Sequence, residues 1–169
     1  MRTILLIAAG AMWASGFWAQ QLPQISMYQR NPLHYNAAHA GVERATRLTA
    51  ISRTQWTGWE GAPSTQFVSA TAPFSRGRAG GGISLMNDAT GGRFYRTARL
   101  HGAYHLALNR SGLNVSAGLS VGLETVGVSF MDLYVPDGND PLMAQPFRQG
   151  QLAAGAGLLV TGERWFASL

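Results

Sequence analysis

The side chains that could do chemistry come first. Gly118-Leu119-Ser120-Val121-Gly122 fits the G-x-S-x-G pattern of a serine nucleophile, which works only on a strained strand-to-helix turn that exposes the hydroxyl. Here apolar and polar residues go on alternating through Leu123, so Ser120 reads as a small residue on the polar face of a strand. His101 and His105 share a strand face, but four residues of strand separate them by roughly 13 Å, too far to hold one metal ion. They read as solvated or hydrogen-bonded polar-face groups. His34 and His39 have no paired carboxylate nearby. Pro136-Asp-Gly-Asn-Asp140 is turn chemistry, and its aspartates fall short of the six or so oxygen ligands that calcium takes. Asn109-Arg-Ser111 and Asn114-Val-Ser116 match the glycosylation pattern only formally, one in a tight turn and one in a strand. No acid, base and nucleophile can be named together, which speaks against an enzyme, and no cofactor or metal is expected.

The elements carrying these residues alternate with period two. Leu113, Val115, Ala117, Leu119, Val121 and Leu123 fall on one face, opposite Asn114, Ser116, Gly118, Ser120, Gly122 and Glu124. The preceding segment repeats this, with Ala98, Leu100, Gly102, Tyr104, Leu106 and Leu108 opposing Tyr95, Thr97, Arg99, His101, Ala103 and His105. Such alternation predicts half-buried antiparallel strands. Further strands are expected at Ala45 to Trp56, Ser64 to Pro73, Gly80 to Asn87 and Gly150 to Thr161, with a seventh from about Glu163. The connections alternate between short (Phe74 to Ala79, Asn109 to Gly112, around Gly162) and long (Thr57 to Pro63, Asn87 to Tyr95, Thr125 to Gln149). That asymmetry suits an outer-membrane barrel, with short periplasmic turns and longer extracellular loops.

Composition agrees. The chain has 169 residues, enough for one domain, and no cysteine. All of its 13 basic residues are arginine, set against 8 acidic ones, for a net charge of +5. They are scattered singly, without the basic stripe of a nucleic-acid binder, so no nucleic-acid partner is expected. Arg2 precedes the apolar run from Ile4 to Trp13, the length of a signal-peptide core and too short to span a bilayer. We expect residues 1–19 to be a signal peptide cut near 16–19, residues 20–44 an irregular lead-in, and residues 45–169 barrel strands. An odd strand count and a stop within an apparent strand predict a barrel that is C-terminally incomplete, because single-chain bacterial barrels close with an even number.

In a barrel wall, arginine facing lipid at mid-depth would cost about 2–4 kcal/mol, so Arg47 and Arg53 should face inward and Leu48, Ala50, Ser52, Thr54 and Trp56 outward. Trp56, Phe94 and Tyr95 would then form an aromatic girdle near the loops, with Phe74 near the opposite rim. Trp59 lies beyond it, placed either to pin the loop over the barrel mouth or to contact a partner.

Two blocks of residues resemble the PorP/SprF family of type IX secretion outer-membrane proteins. The first is Asn31, Pro32, Leu33, Asn36, Ala38, Ala40 and Gly41, from which Ala37 and His39 depart at positions where the family has proline and an aromatic. The second is Arg53, Gln55, Trp56, Gly61, Ala62 and Pro63, with Gly58 and Trp59 in the same loop. The resemblance implies an all-β, antiparallel transmembrane outer-membrane β-barrel, of which this chain is the N-terminal portion. It further implies a noncatalytic role in Bacteroidetes-type bacteria, delivering or anchoring secreted proteins such as gliding adhesins at the cell surface. The implied partners are outer-membrane lipid, type IX secretion components, and secreted cargo or an adhesin C-terminal domain. The Thr57 to Pro63, Asp88 to Arg93 and Thr125 to Gln149 loops are the expected contact surfaces. The other reading of the pattern is an exported soluble β-sandwich binding module, with the apolar faces packed on each other.

Overall fold

The computed structural model describes residues 28–108, 112–129 and 147–169. The expected signal peptide, the tip of the Asn109 turn and the Pro136 to Asp140 turn lie outside these residues. Seven strands follow the lead-in: β1 (Arg47–Thr54), β2 (Ser64–Phe74), β3 (Ala79–Thr90), β4 (Arg93–Ala107), β5 (Asn114–Val128), β6 (Phe147–Thr161) and β7 (Phe166–Ser168). Each pairs antiparallel with its sequence neighbour, in the order β1 to β7. The result is a single curled sheet, part of the wall of an outer-membrane-type β-barrel. No helix among the described residues is long and apolar enough to cross a membrane; a barrel crosses with strands.

The sheet is inside out relative to a soluble one. Leu119, Val121 and Leu123 are 69%, 52% and 59% exposed, whereas Ser116 and Glu124 on the opposite face of β5 are 3% and 8% exposed. Because the register is continuous, this division extends across the sheet. Val68, Leu85, Ala98, Leu123 and Leu152 share one transverse row of the outer face, and Ala70, Ile83, Leu100, Val121 and Ala154 the next. The apolar rows continue to Leu106, Val115 and Val160. From Ala98 to Leu106 this band runs roughly 27 Å along β4, or about 20 Å along the membrane normal at a strand tilt of about 40°, near the ~25 Å band of outer-membrane barrels. A one-residue slip would turn every one of these side chains to the wrong side. Arg47 and Arg53 share the less exposed face of β1 while Leu48 is 74% exposed, matching the expected parity.

Three expectations change. The connection expected to run from Asn87 to Tyr95 is a tight hairpin, because β3 continues through Thr90 and β4 begins at Arg93. Only Gly91 and Gly92 lie between, with Gly91 at φ +55, a left-handed value glycine adopts without a Cβ clash. Asp88 and Arg93 are therefore ladder residues and not a loop, so short and long connections do not alternate strictly. Similarly, Thr125 to Val128 belong to β5 and Phe147 to Gln149 to β6, which shortens the last long connection to 129–146. Tyr95 also leaves the expected girdle: it packs on the concave face against the Phe67–Met86 pair.

Candidate functional site

The lead-in between Tyr28 and Thr46 forms a compact insert against the concave face. It holds a 3-10 turn at Tyr28–Arg30, a short helix α1 (Pro32–Tyr35) and a second 3-10 turn at Ala37–His39. Pro32 takes the first helical position, where its missing N–H costs nothing, so the proline that discourages helix before itself starts one after itself. Ala37, Ala38 and Ala40 are buried at 6%, 0% and 0% exposure.

The sheet has a seat for this insert. Gly80, Ala103, Gly118 and Gly157 form one transverse row on the concave face of β3 to β6. A methyl group at Gly80 would overlap the Ala40 carbonyl, one at Gly118 the Ala37–Ala38 peptide, and one at Gly157 the Asn36 side chain. Close approach of backbone to backbone is what these positions provide. Gly41 completes the fit, with φ +74 and its Cα side against Gly80.

Polar contacts hold the insert in register. The Asn36 amide nitrogen donates toward the Leu158 carbonyl at 2.8 Å, Ser168 Oγ at 2.8 Å and the Leu169 carbonyl at 2.9 Å. Its Oδ1 accepts the Ala38 N–H at 2.7 Å. One side chain thereby links the second 3-10 turn to β6 and β7. His105 bridges Ser116 Oγ at 2.8 Å and the Ala40 carbonyl at 3.0 Å. His101 pairs with Ser84 Oγ at 2.8 Å. The histidines on β4 are thus parts of the concave hydrogen-bond lattice, and Ser120 lies mid-strand in β5, which runs on to Val128 without the strand-to-helix turn a serine nucleophile needs.

Toward the loops, the concave face changes character. Phe67 and Met86 are buried, with Ile51 and Tyr95 against them, and Arg99 pairs with Glu124, which also accepts from Gln151 at 3.3 Å. The His34 ring meets Phe67 edge-on with centroids 5.4 Å apart. Burial, followed by the positive charge of Arg99, pushes the His34 pKa down to about 4, so this imidazole is neutral at physiological pH. Asn31 is 1% exposed and caps the start of α1 by position, without a side-chain capping bond. It borders a cavity of about 90 Å³ between the lead-in and β1–β2, together with Arg47, Thr49 and Thr71.

The second motif block builds the β1–β2 loop at the opposite end of β1. The Gln55 N–H donates to the Pro63 carbonyl at 2.9 Å, extending the ladder by one step. Trp56 turns the chain out of the strand at φ +52, and Gly58 and Gly61 follow at φ +100 and +72. The Trp59 N–H bonds back to the Trp56 carbonyl at 3.2 Å, and Ala62 to the Trp59 carbonyl at 3.3 Å. Gly61 accepts from the Gly91 N–H at 2.8 Å, tying this loop to the β3–β4 hairpin. Trp56 and Trp59 are nevertheless 72% and 79% exposed. Arg53, the last basic residue of β1, faces the concave side below them.

The sequence blocks therefore serve two places. Asn31, Pro32, Asn36 and Gly41 belong to the lumenal insert, whereas Gln55, Trp56, Gly58, Trp59, Gly61, Ala62 and Pro63 belong to the loop, and the fold does not bring them together. Sequence reasoning missed the glycine seat. Its signal was present as glycines recurring on the polar face of β5, but their partners on β3 and β6 depend on register.

An antiparallel meander with an apolar convex face and a small-residue, polar concave face filled by its own lead-in defines a membrane β-barrel component. The family model described as type IX secretion system membrane protein PorP/SprF matches residues 17–169. The chain belongs to this family, and so is a membrane component of type IX secretion that works with the other parts of that system. No curated protein and no solved structure gives a match.

Proposed function

We propose that this chain is a noncatalytic outer-membrane component that delivers or anchors secreted proteins at the cell surface, using its loops as the contact surface. The observation that carries this reading is the β1–β2 loop, which exposes two tryptophans on a backbone braced by its own turns and by the β3–β4 hairpin. Exposed tryptophans on a rigid scaffold supply large contact area at little entropic cost, as binding hot spots do. The lead-in packed on the concave face is compatible with the same assignment, since it covers part of the inner surface and leaves the β1–β2 loop uncovered. In this reading residues 1–19 direct export and are removed near 16–19, the barrel faces outer-membrane lipid, and the partner is secreted cargo or an adhesin C-terminal domain.

The test is a Trp56→Ala/Trp59→Ala double variant of the full chain in cells. Surface-retained cargo is expected to fall about tenfold or more, as for loss of a hot-spot pair, with the variant still recovered in the outer-membrane fraction at wild-type level. Unchanged cargo retention would refute the loop as the contact surface.

A further inference from the structure

The outer face ends abruptly at the loop side. Immediately above the row containing Leu85, Ala98, Leu123 and Leu152 lies a polar one with Gln66, Asn87, Arg96 and Thr125, and above that a row with Phe94, Gly127 and Arg148. These two upper rows hold two arginines and no carboxylate.

The arginines are organised around one ring. Gly127 has no side chain, and a Cβ there would stand 2.6 Å from Phe94 Cε1, so the Phe94 ring lies across Gly127 toward β6. The Arg96 guanidinium stacks on this ring at 4.6 Å from its centroid, while its Nε donates to Asn87 Oδ1 at 2.9 Å. Stacking plus one hydrogen bond fixes the plane of the guanidinium and leaves its terminal nitrogens without an acceptor among the described residues. Arg148 follows on β6, beside Gly127, exposed and in no ion pair among the described residues.

We propose that Arg96 and Arg148, spaced by the Phe94 ring on Gly127, bind the phosphate of an anionic lipid in the leaflet at the loop end. Two cations at the edge of an apolar band face lipid headgroups, and a guanidinium fork matches phosphate oxygens. The acyl chains of that lipid would run down the outer rows of Ala98, Leu123 and Leu152. The inference rests on the outer face meeting lipid.

The test uses the full chain in nanodiscs of phosphatidylcholine doped with phosphatidylglycerol of the same acyl composition, followed by native mass spectrometry of retained lipid. Wild-type protein is expected to prefer phosphatidylglycerol by about 30-fold, the product of two interfacial arginines at their ordinary attraction. Arg96→Gln/Arg148→Gln should abolish the preference while the protein still embeds, and Arg96→Lys/Arg148→Lys should keep part of it, since charge remains but the fork is lost. Equal retention of both lipids by the wild type would overturn the proposal.

Discussion

The two faces of β5 show how one strand meets two solvents. Leu119 and Ser120 are neighbours in the chain, yet Leu119 is 69% exposed and Ser120 lies on the side that receives the lead-in. On the convex face size and greasiness are what matter, because hydrocarbon asks only that no charge be presented at depth. The concave face is governed by shape: Gly118 admits the Ala37–Ala38 peptide, and any side chain there would displace it. The first face tolerates many apolar residues at each position, whereas the second, where it seats the lead-in at Gly118, accepts almost none but glycine.

Adjacent substitutions should separate these two kinds of constraint. The largest effect is expected from Leu119→Arg, at about 2–4 kcal/mol of folding free energy for a cation near mid-depth. Thr125→Arg, on the polar row at the loop edge, should cost about 0–1 kcal/mol. Denaturant titration of the full chain refolding into lipid vesicles measures both. Similar costs for the two positions would show that depth in a membrane is not what sets them.

Gly118→Val is expected to cost about 1–3 kcal/mol, as overpacking does, and to act elsewhere. It should expel the lead-in while leaving the strands embedded, seen as protease cleavage between Tyr28 and Arg44 with the barrel fragment intact. Protection equal to wild type would remove the glycine seat from the explanation.

A separate effect concerns pH. His34 is held neutral, with its pKa lowered from 6.5 to about 4, so the unfolded chain binds a proton that the folded chain refuses. Stability should be level above about pH 6.5, fall as pH drops toward 4, and level again below. Replacing His34→Phe should flatten that part of the profile, measured as unfolding midpoint against pH. An unchanged slope would assign the titration to another group.

Much of this was legible in the sequence, and the reason is the period-two rule. Alternation from Tyr95 to Leu123 sufficed to assign the faces of β4 and β5, because strand side chains alternate whatever the sheet surrounds. The strand ends were less visible: Asp88 to Arg93 carries polar and glycine residues typical of a loop, but ladder pairing with β2 and β4 absorbed them up to Gly91. The lead-in was least visible. Its helical turns have no period of their own and exist through contacts made by Asn36 and Ala38 with strands far along the chain, as the bond from Asn36 to Leu158 shows across 122 residues. Conversely, Trp56 looked like the last outward residue of β1, and its φ of +52 shows the chain already turning.

The outward-facing apolar surface can be tested most directly by spin labels, for which a chain without cysteine is well suited. Single cysteines at Leu119 and Ser120 of the full chain, labelled and reconstituted in bilayers, would report collision with dissolved oxygen and with a water-soluble nickel chelate. The label at 119 is expected to meet oxygen and be shielded from nickel, with the order reversed or both low at 120. A label at 119 that meets nickel as freely as a water-exposed site would contradict a lipid-facing wall.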